Sequence, residues 1–244
     1  MKAYEQALHM LEALKLKGVV NCLDEELDEA ESQKLSYIGF LSAILNREIS
    51  DRNERRLKRN LAAAHFPTIK RLEDFEFGRV KGVTKSDVSQ LLDFRWIDTH
   101  ANTLWFGPPG LGKTHLSIGL GAKAIEAGYT VCFERITNLV KLLKMAHIQR
   151  QAGFRINKIL KVDLVIIDEI GYTPIDRTEA NKFFNLISEL YEKTSIILTS
   201  NKGFDSWAEM MGDDVMTTAL LDRLLHHAKV FNLDGESYRM KDRR

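Results

Sequence analysis

Two stripes of apolar residues run through the first part of the chain at the spacing of an amphipathic helix. The first comprises Tyr4, Leu8, Leu11 and Leu14, and the second comprises Leu35, Ile38, Leu41, Leu45 and Ile49. Steps of three and four residues return to the same helix face. Glycine is scarce here, and Pro67 is the only proline in this part of the chain. We therefore predict a small all-α N-terminal domain over residues 1–70.

From about Leu72 the pattern changes to short apolar runs that alternate with helical stretches. The predicted strands are 103–106, 130–134, 164–168, 195–199 and 230–233. The predicted helices are 113–127, 137–151, 177–192 and 213–228. This alternation is typical of βαβ units and a parallel sheet. It predicts an α/β domain over residues 71–244, built on a five-stranded parallel sheet.

A glycine-rich loop follows the first predicted strand and opens the helix after it. Its residues fit the pattern G-x-x-x-x-G-K-[ST]: Gly107, Pro108, Pro109, Gly110, Leu111, Gly112, Lys113 and Thr114. In such a loop backbone N–H groups surround phosphate oxygens, the lysine reaches the β and γ phosphates, and the hydroxyl ligates Mg²⁺. A glycine turn without a ligand is the alternative, which the strand–loop–helix context disfavours. The loop predicts nucleotide binding.

Polar residues follow two of the later strands. The apolar run 164–167 ends in Asp168 and Glu169, and the strand 195–199 is followed by Asn201. Because parallel strands end at one edge of a sheet, all three residues are expected near the phosphate loop. We expect Asp168 to hold Mg²⁺ with Thr114, Glu169 to activate water as general base, and Asn201 to orient that water. For Asn201 a plain turn residue is the alternative.

Charge is balanced over the whole chain and uneven along it. The 244 residues carry 35 basic and 34 acidic side chains, so any affinity for nucleic acid must come from local clusters. Residues 1–46 contain four basic and eight acidic residues, whereas residues 47–71 contain eight basic and three acidic ones. The basic run 52–59 is one candidate surface for DNA or an acidic partner, although charged helices are more often solvated faces.

A second basic group follows the strand 130–134. Lys141 and Lys144 fall on one helix face, and Arg155 and Lys158 repeat at an interval of three. We hypothesise that these four residues contact DNA. A solvated charged face is an equally good interpretation.

Cysteine, histidine and hydropathy bear on the compartment and on metal binding. Cys22 and Cys132 share no metal-ligand spacing, which argues against a zinc site and a disulfide framework and favours the reducing cytoplasm. His226 and His227 are neighbours in a predicted helix and should point to different faces, which argues against chelation. The longest aliphatic run, 164–167, is too short to cross a bilayer, so no membrane partner is expected.

The phosphate loop, the acidic strand end and Asn201, in this order, are similar to the motifs of AAA+ ATPases. Several stretches resemble the IstB family of transposition helper ATPases, which belongs with the DnaC-type helicase loaders. They are GPPGLGKTHL (107–116), IDEIGY (167–172), TSNK (199–202), LDRLLHH (221–227) and GESYR (235–239). The resemblance covers nearly the whole chain.

This resemblance implies an ATPase that forms homo-oligomers on duplex DNA, with ATP sites between subunits, and that recruits an IstA-type transposase. It places His115 in the nucleotide-binding stretch, makes Arg223 the arginine finger that enters the neighbouring subunit's site, and makes Arg239 the sensor-2 arginine. Only eleven residues follow the last predicted strand. We therefore expect no C-terminal helical lid, so that a neighbouring subunit must help to close the pocket.

Two other functions remain open from the sequence. A helicase loader would share the catalytic core and use ATP as a timer, and only its partner would distinguish it. A small-molecule P-loop kinase would release a phosphorylated metabolite rather than phosphate, and it leaves Arg223 without a role. The stretches 167–172 and 221–227 favour the transposition helper.

Overall fold

The computed structural model describes residues 2–171 and 175–238. It separates into two compact units, Met1–Arg59 and Asn60–Arg244. The division into domains at residue 70 stays a prediction. No helix in the described ranges is long and apolar enough to span a membrane.

Helices make up the N-terminal unit. They are α1 (Lys2–Ala13), α2 (Lys17–Gln33) and α3 (Tyr37–Ala64), and α3 continues beyond the unit. The carboxylate of Glu48 on α3 accepts hydrogen bonds from the N–H groups of Gly18 (2.7 Å) and Val19 (3.2 Å) in the first turn of α2. A Cβ on Gly18 would lie 2.9 Å from the Glu48 Cα, so the two helices meet closely here. Glu48 therefore supplies partners that the first turn of a helix lacks.

The residues of the second apolar stripe are exposed in this unit. Ile38 is 72% exposed and Ile49 57%, although such a stripe usually faces a core. Leu35, Leu41 and Leu45 are exposed as well. The prediction of helices is confirmed, whereas the burial that the pattern suggests does not occur.

The second unit is an α/β fold, and its strands and helices follow in chain order. The strands are β1 (Val80–Lys81), β2 (Asn102–Phe106), β3 (Val131–Arg135), β4 (Leu164–Ile170), β5 (Ser195–Ser200), β6 (Ala228–Asn232) and β7 (Asp234–Gly235). The helices are α4 (Lys85–Leu91), α5 (Arg95–Asp98), α6 (Lys113–Glu126), α7 (Ile136–Met145), α8 (Arg150–Ile159), α9 (Arg177–Leu190), α10 (Trp207–Met211) and α11 (Asp214–Leu225).

The main sheet has the order β3-β4-β5-β2-β6, and every neighbouring pair is parallel. This confirms the predicted five-stranded parallel sheet. Leu104, Ile166 and Ile197 on its central strands have no exposed surface. Strands buried on both faces read as continuous apolar runs, which explains why the sequence showed them clearly.

Two predicted helices were wrong in extent. The helix predicted over 137–151 is two helices, because the chain extends at Gln149 (φ −110°, ψ 119°) and α8 starts at Arg150. Gly153 lies inside α8 and ends neither helix. The helix predicted over 213–228 ends at Leu225, and β6 begins at Ala228 rather than at residue 230.

A small antiparallel sheet of β1 and β7 was not predicted. It brings the chain after β6 back across the phosphate loop. Residues 233–238, which we call the C-terminal strap, continue from there: the Tyr238 N–H donates to the Gly110 carbonyl (3.0 Å) and its hydroxyl to the Glu76 carbonyl (2.7 Å). The strap therefore joins the phosphate loop to the segment before β1.

Candidate functional site

The phosphate loop lies between the carboxyl end of β2 and the start of α6, as predicted. Gly110 has φ +86°, and a Cβ there would lie 2.0 Å from the Ser237 hydroxyl of the strap. Only glycine combines this backbone conformation with so close a neighbour. The loop thus presents its backbone and the N-terminus of α6 to one space, an arrangement suited to anions.

Lys113 begins α6 and is buried beside the loop. Its ammonium donates to the carbonyls of Gly107 (2.5 Å) and Pro108 (2.8 Å). Leu111 is also buried, while Pro109 and Gly112 line the open cavity above the loop. At this position the Lys113 side chain is long enough to reach a phosphate bound in the loop.

Asp168 is fully buried at the end of β4 and is paired with two hydroxyls. Its Oδ1 accepts from the Thr114 hydroxyl at 2.8 Å and from the Thr199 hydroxyl at 2.6 Å. Its Oδ2 is buried and has no hydrogen-bond partner among the described residues. A carboxylate oxygen with spare acceptor capacity beside a threonine hydroxyl suits Mg²⁺, which prefers oxygen ligands. These residues therefore fit the predicted metal site.

Glu169 follows Asp168 at a point where β4 is irregular. The pairing of β4 with β5 shifts register between Ile167 and Ile170, and Glu169 has φ +67°, which is unusual for a residue other than glycine. Its N–H donates to the Thr199 hydroxyl (2.9 Å), and its carboxylate lies 3.4 Å from Nε of Arg135. The bulge lets two consecutive residues serve one site, although side chains in a regular strand alternate between faces.

Arg135 was missed by the sequence interpretation. It ends β3, which is the neighbour of β4, and its backbone is in register with Asp168. Its side chain lines the same cavity as Glu169 and Asn201. The usable signal was its position at the end of a predicted strand, but the sequence does not show that this strand lies beside β4.

Asn201 follows β5 and reaches the cavity, as expected from the parallel sheet. Its Oδ1 is buried and makes no hydrogen bond within the described ranges. Among the cavity's other lining residues are Lys113, Thr114 and Glu169. The structure thus brings together the phosphate loop, both acidic residues and Asn201.

The cavity above the loop has a volume of about 440 Å³, within the usual range for a bound small molecule. One wall is aromatic: Phe75 packs against His115 (5.6 Å between ring centroids) and Tyr238 (6.3 Å). His115 also bonds the Arg71 carbonyl through Nε2 at 2.6 Å. Burial raises the pKa of Tyr238, and the charge of Glu76 adds to this. The wall comes from the segment before β1 and from the strap, neither of which shows a motif by itself.

The two arginines carried over from the resemblance have different outcomes. Arg223 on α11 donates to the Ala219 carbonyl (2.8 Å) and lies 4.8 Å above the Phe184 ring. It is not among the residues that line the cavity above the loop. Arg239 lies outside the described residues.

The four residues predicted to contact DNA do not share one exposed face. Lys141 is exposed, and Lys144 is exposed but paired with Asp176 (3.0 Å) and Glu179 (2.5 Å). The remaining two are partly buried: Arg155 lies 2.6 Å from the buried Glu134, and Lys158 donates to the Ala63 carbonyl (2.8 Å). Contact of these four residues with DNA stays a prediction.

The expectation that His226 and His227 diverge is also wrong. Their ring centroids are 4.0 Å apart. Since α11 ends at Leu225, the helical angle between neighbouring residues does not apply to this pair.

Both thiols, Cys22 and Cys132, are free, and burial raises the pKa of Cys132 to about 11.

Comparison with known sequences finds close relatives. The profile described as "IstB-like ATP binding protein" matches residues 9–244. A protein described as an ATP-binding protein of insertion sequence IS21 in Pseudomonas aeruginosa is 40% identical over 235 residues, covering 96% of this chain and 89% of that protein. An ATP-binding protein of insertion sequence IS5376 in Geobacillus stearothermophilus is 39% identical over 88% of this chain and 86% of that protein.

Solved structures with this fold are more distant in sequence. DnaI has a TM-score of 0.57 at 15% identity, covering 68% of this chain and 91% of that chain. AMPPCP-bound DnaA from Aquifex aeolicus has a TM-score of 0.54 at 21% identity, covering 68% of this chain and 50% of that chain. The DnaC helicase loader has a TM-score of 0.50 at 17% identity, covering 62% and 92%. At these identities the likeness shows the AAA+ fold alone.

Proposed function

Because the chain belongs to the family of IstB-like ATP-binding proteins, we propose that this ATPase assists insertion-sequence transposition by assembling on duplex DNA and presenting it to a transposase. The observation that carries the proposal is the joint placement of Lys113, Glu169 and Asn201 around one cavity in such a chain. Relatives at 40% and 39% identity belong to insertion sequences, which supports a transposase as partner.

In this proposal ATP lies with its phosphates in the loop 107–114. Lys113 leaves the carbonyls of Gly107 and Pro108 for the β and γ phosphates, which exchanges neutral acceptors for charged ones. Thr114 and Asp168 hold Mg²⁺, which neutralises phosphate charge when bound. The adenine base of ATP packs against the aromatic wall that contains Phe75 and Tyr238.

Glu169 acts as the general base and Asn201 orients the attacking water. Arg135, 3.4 Å from Glu169, holds that carboxylate in place until water and phosphate arrive. The unpartnered Oδ1 of Asn201 offers an acceptor to the water. In these roles the water oxygen bonds to the γ-phosphorus, the bond from that phosphorus to the bridging oxygen of ADP breaks, and the proton of the water passes to Glu169.

We assign Arg223 as the arginine finger of a neighbouring subunit. It does not line the cavity of its own subunit, so it acts at an ATP site only if a second copy brings it there. Such a finger contributes about 10³ to 10⁵ in rate. Hydrolysis is then coupled to assembly, and an oligomer on DNA shares the cost of bending the duplex, which is about 1–10 kcal/mol.

The test is ATP hydrolysis and DNA binding by the full chain with duplex DNA. Lys113→Ala should lose ATP binding, whereas Glu169→Gln should keep it, reduce turnover by roughly 10² to 10⁴, and stabilise DNA-bound oligomers. Glu189→Gln, an exposed glutamate on α9, is the matched control. Full turnover by Glu169→Gln would show that another group is the base.

Finger action between subunits is tested by mixing two inactive variants. An Arg223→Ala subunit keeps a complete cavity, and a Lys113→Ala subunit keeps its finger. Partial recovery of hydrolysis in the mixture supports the assignment. If the mixture still forms oligomers but hydrolysis does not recover, the assignment of Arg223 is rejected.

Lys141 and Lys144 are the proposed DNA contacts. Charge reversal of Lys141 should weaken duplex binding and reduce the slope of log affinity against log salt by about 0.9. Lys193→Glu, an exposed lysine before β5, is the control. A slope unchanged by Lys141→Glu would contradict this surface.

A helicase loader is the second candidate, favoured by the likeness in fold to DnaI and the DnaC helicase loader. A pull-down of the full chain with its transposase and with a replicative helicase distinguishes the two. Capture of the helicase alone would replace the proposal of a transposition helper.

A further inference from the structure

The amino ends of three neighbouring strands bring ionisable side chains together, at the edge of the sheet opposite the phosphate loop. Glu192 lies three residues before β5, His100 two residues before β2, and His226 and His227 directly before β6. The strands β5, β2 and β6 are adjacent in the sheet. The fold therefore gathers residues that are far apart in sequence.

Three of these side chains have the spacing of metal ligands. One ligand atom each from Glu192, His226 and His227 lies within 4.8 Å of the others. Ligands of tetrahedral zinc lie about 3.3 Å apart, given metal–nitrogen bonds of about 2.0–2.1 Å. All three side chains are exposed, so modest rotations about their side-chain bonds close the difference. His100 lines the same small cavity as Glu192 and His227 but is not part of this group of ligand atoms, so water would complete the coordination.

The backbone that carries these ligands is held by Asn102, which is buried at the start of β2. Its N–H donates to the His227 carbonyl (2.7 Å), and its side-chain amide donates to the Leu224 carbonyl (3.0 Å). Its Oδ1 accepts from the N–H of Ile196 on β5 (2.9 Å). Asn102 therefore ties together the three strand ends, so that a ligand set across them is largely preformed.

The His226 ring is held by Tyr191, whose hydroxyl lies 2.7 Å from Nδ1, and the Glu192 carboxylate lies 3.9 Å from the same nitrogen. The metal therefore binds either through Nε2, with Tyr191 as an outer partner that restrains the ring, or through Nδ1 after the hydroxyl is displaced. Arg223 lines the same cavity, but its guanidinium is engaged by Phe184 and the Ala219 carbonyl, and the Glu192 carboxylate supplies the opposite charge.

We propose that Glu192, His226 and His227 bind a divalent transition metal of the zinc class. Two imidazoles and one carboxylate suit Zn²⁺, whereas Mg²⁺ prefers oxygen ligands, so the two ions occupy separate sites. The bound metal ties the segment before β5 to the end of α11. This inference rests on residues that the proposed ATPase mechanism does not use.

The test is calorimetric titration of ZnCl₂ into the full chain, without a polyhistidine tag and after treatment with a chelator, in buffer that contains Mg²⁺. We expect one Zn²⁺ per chain. Glu192→Gln and His227→Ala should each weaken binding roughly tenfold or more, and the double variant His226→Ala/His227→Ala should lose it. His147→Ala, an exposed histidine after α7, is the control and should bind like the parent.

Thermal unfolding gives a second readout. A ligand that binds only the folded state raises the midpoint temperature of unfolding, and it raises it more when it binds more tightly. Zn²⁺ should raise the midpoint of the parent and of His147→Ala but not that of the double variant. Binding that survives in the double variant would overturn the proposal. So would a parent chain that takes up no Zn²⁺ while its circular dichroism shows it folded.

Discussion

The two units of this chain place their apolar residues in opposite ways. In the second unit the inner strands β4, β5 and β2 of the main sheet are buried, and residues such as Ile166 and Phe183 have no exposed surface. In the N-terminal unit, α3 leaves Ile38 and Ile49 more than half exposed. The same helical pattern in the sequence therefore has two meanings: it marks a core in one unit and an uncovered surface in the other.

In the N-terminal unit, some buried positions are occupied by paired charged side chains rather than by apolar ones. Glu26 and Glu48 are buried and paired with Arg47 and Arg52, each at 2.5 Å. Buried ion pairs of this kind specify an arrangement more than they stabilise it. The comparison teaches that the second unit is held mainly by apolar packing, whereas the N-terminal unit combines a few buried apolar residues such as Val19 and Leu23 with polar contacts and leaves an apolar stripe exposed.

The largest expected effect contrasts one isoleucine from each unit. Ile166→Ala removes a fully buried side chain from β4 and should destabilise the second unit by about 3–5 kcal/mol, whereas Ile38→Ala should change stability by no more than about 0.5 kcal/mol. Urea denaturation is followed by tryptophan fluorescence for the second unit, since Trp96, Trp105 and Trp207 all lie there, and by far-ultraviolet circular dichroism, which also reports the N-terminal helices. Equal losses from both substitutions would remove the contrast.

The next effect tests the polar contacts of the N-terminal unit. Glu48→Gln weakens the hydrogen bonds to Gly18, Val19 and Arg52 and should destabilise this unit by about 2 kcal/mol. Glu54→Gln breaks only the exposed pair with Lys58 and should have no measurable effect. Far-ultraviolet circular dichroism during urea denaturation is the measurement, and a neutral Glu48→Gln would show that apolar contacts hold the unit after all.

The same carboxylate predicts how the N-terminal unit responds to acid. Burial by itself would raise the pKa of Glu48, but hydrogen bonds from Arg52, Val19 and Gly18 outweigh it and hold the pKa below its ordinary value. The stabilisation is therefore complete above the ordinary carboxyl pKa of about 4.3 and is lost as pH falls towards the lowered value. Helical signal recorded from pH 7 to pH 3 should show a weaker acid dependence in Glu48→Gln than in the parent.

The smallest expected effect compares one tyrosine hydroxyl from each unit. Tyr238→Phe removes the hydrogen bond to the Glu76 carbonyl beside the cavity and should weaken ATP binding about fivefold, the equivalent of about 1 kcal/mol. Tyr4→Phe removes an exposed hydrogen bond to Asp24 and should leave ATP binding unchanged. Titration with a fluorescent ATP analogue measures both. Unchanged binding in Tyr238→Phe would mean that the strap does not take part in the site.

Much of the second unit follows from the sequence because its signals are local. The phosphate loop is a continuous motif, and buried parallel strands are continuous apolar runs, so Lys113, Asp168 and Asn201 were found with their neighbours. Arg135 was not, because its role depends on which strand lies beside β4. The order of strands is a property of the whole sheet and leaves no local mark.

Helix ends were the second source of error. Whether the helix after β3 stops at Met145, and whether α11 stops at Leu225, depends on packing against the sheet rather than on a strong stop signal. A difference of three residues at the end of α11 changes the relation of His226 to His227 from divergent to adjacent. The exposed stripe on α3 has the same origin, since periodicity marks an apolar face without saying what covers it.

The C-terminal strap has a consequence for synthesis of the chain on the ribosome. The phosphate loop and both acidic residues are made long before β6, which is the partner of β2 in the sheet, and before Tyr238, which bonds to Gly110. Chains grow from the N-terminus at about 5–20 residues per second. A nascent chain therefore holds its phosphate loop uncovered, with one edge of β2 unpaired, for the last part of translation. A chain that ends before residue 228 would keep the phosphate loop, Asp168, Glu169 and Asn201 but would lack β6 and the strap. Such a fragment would be prone to pair the free edge of β2 with other chains.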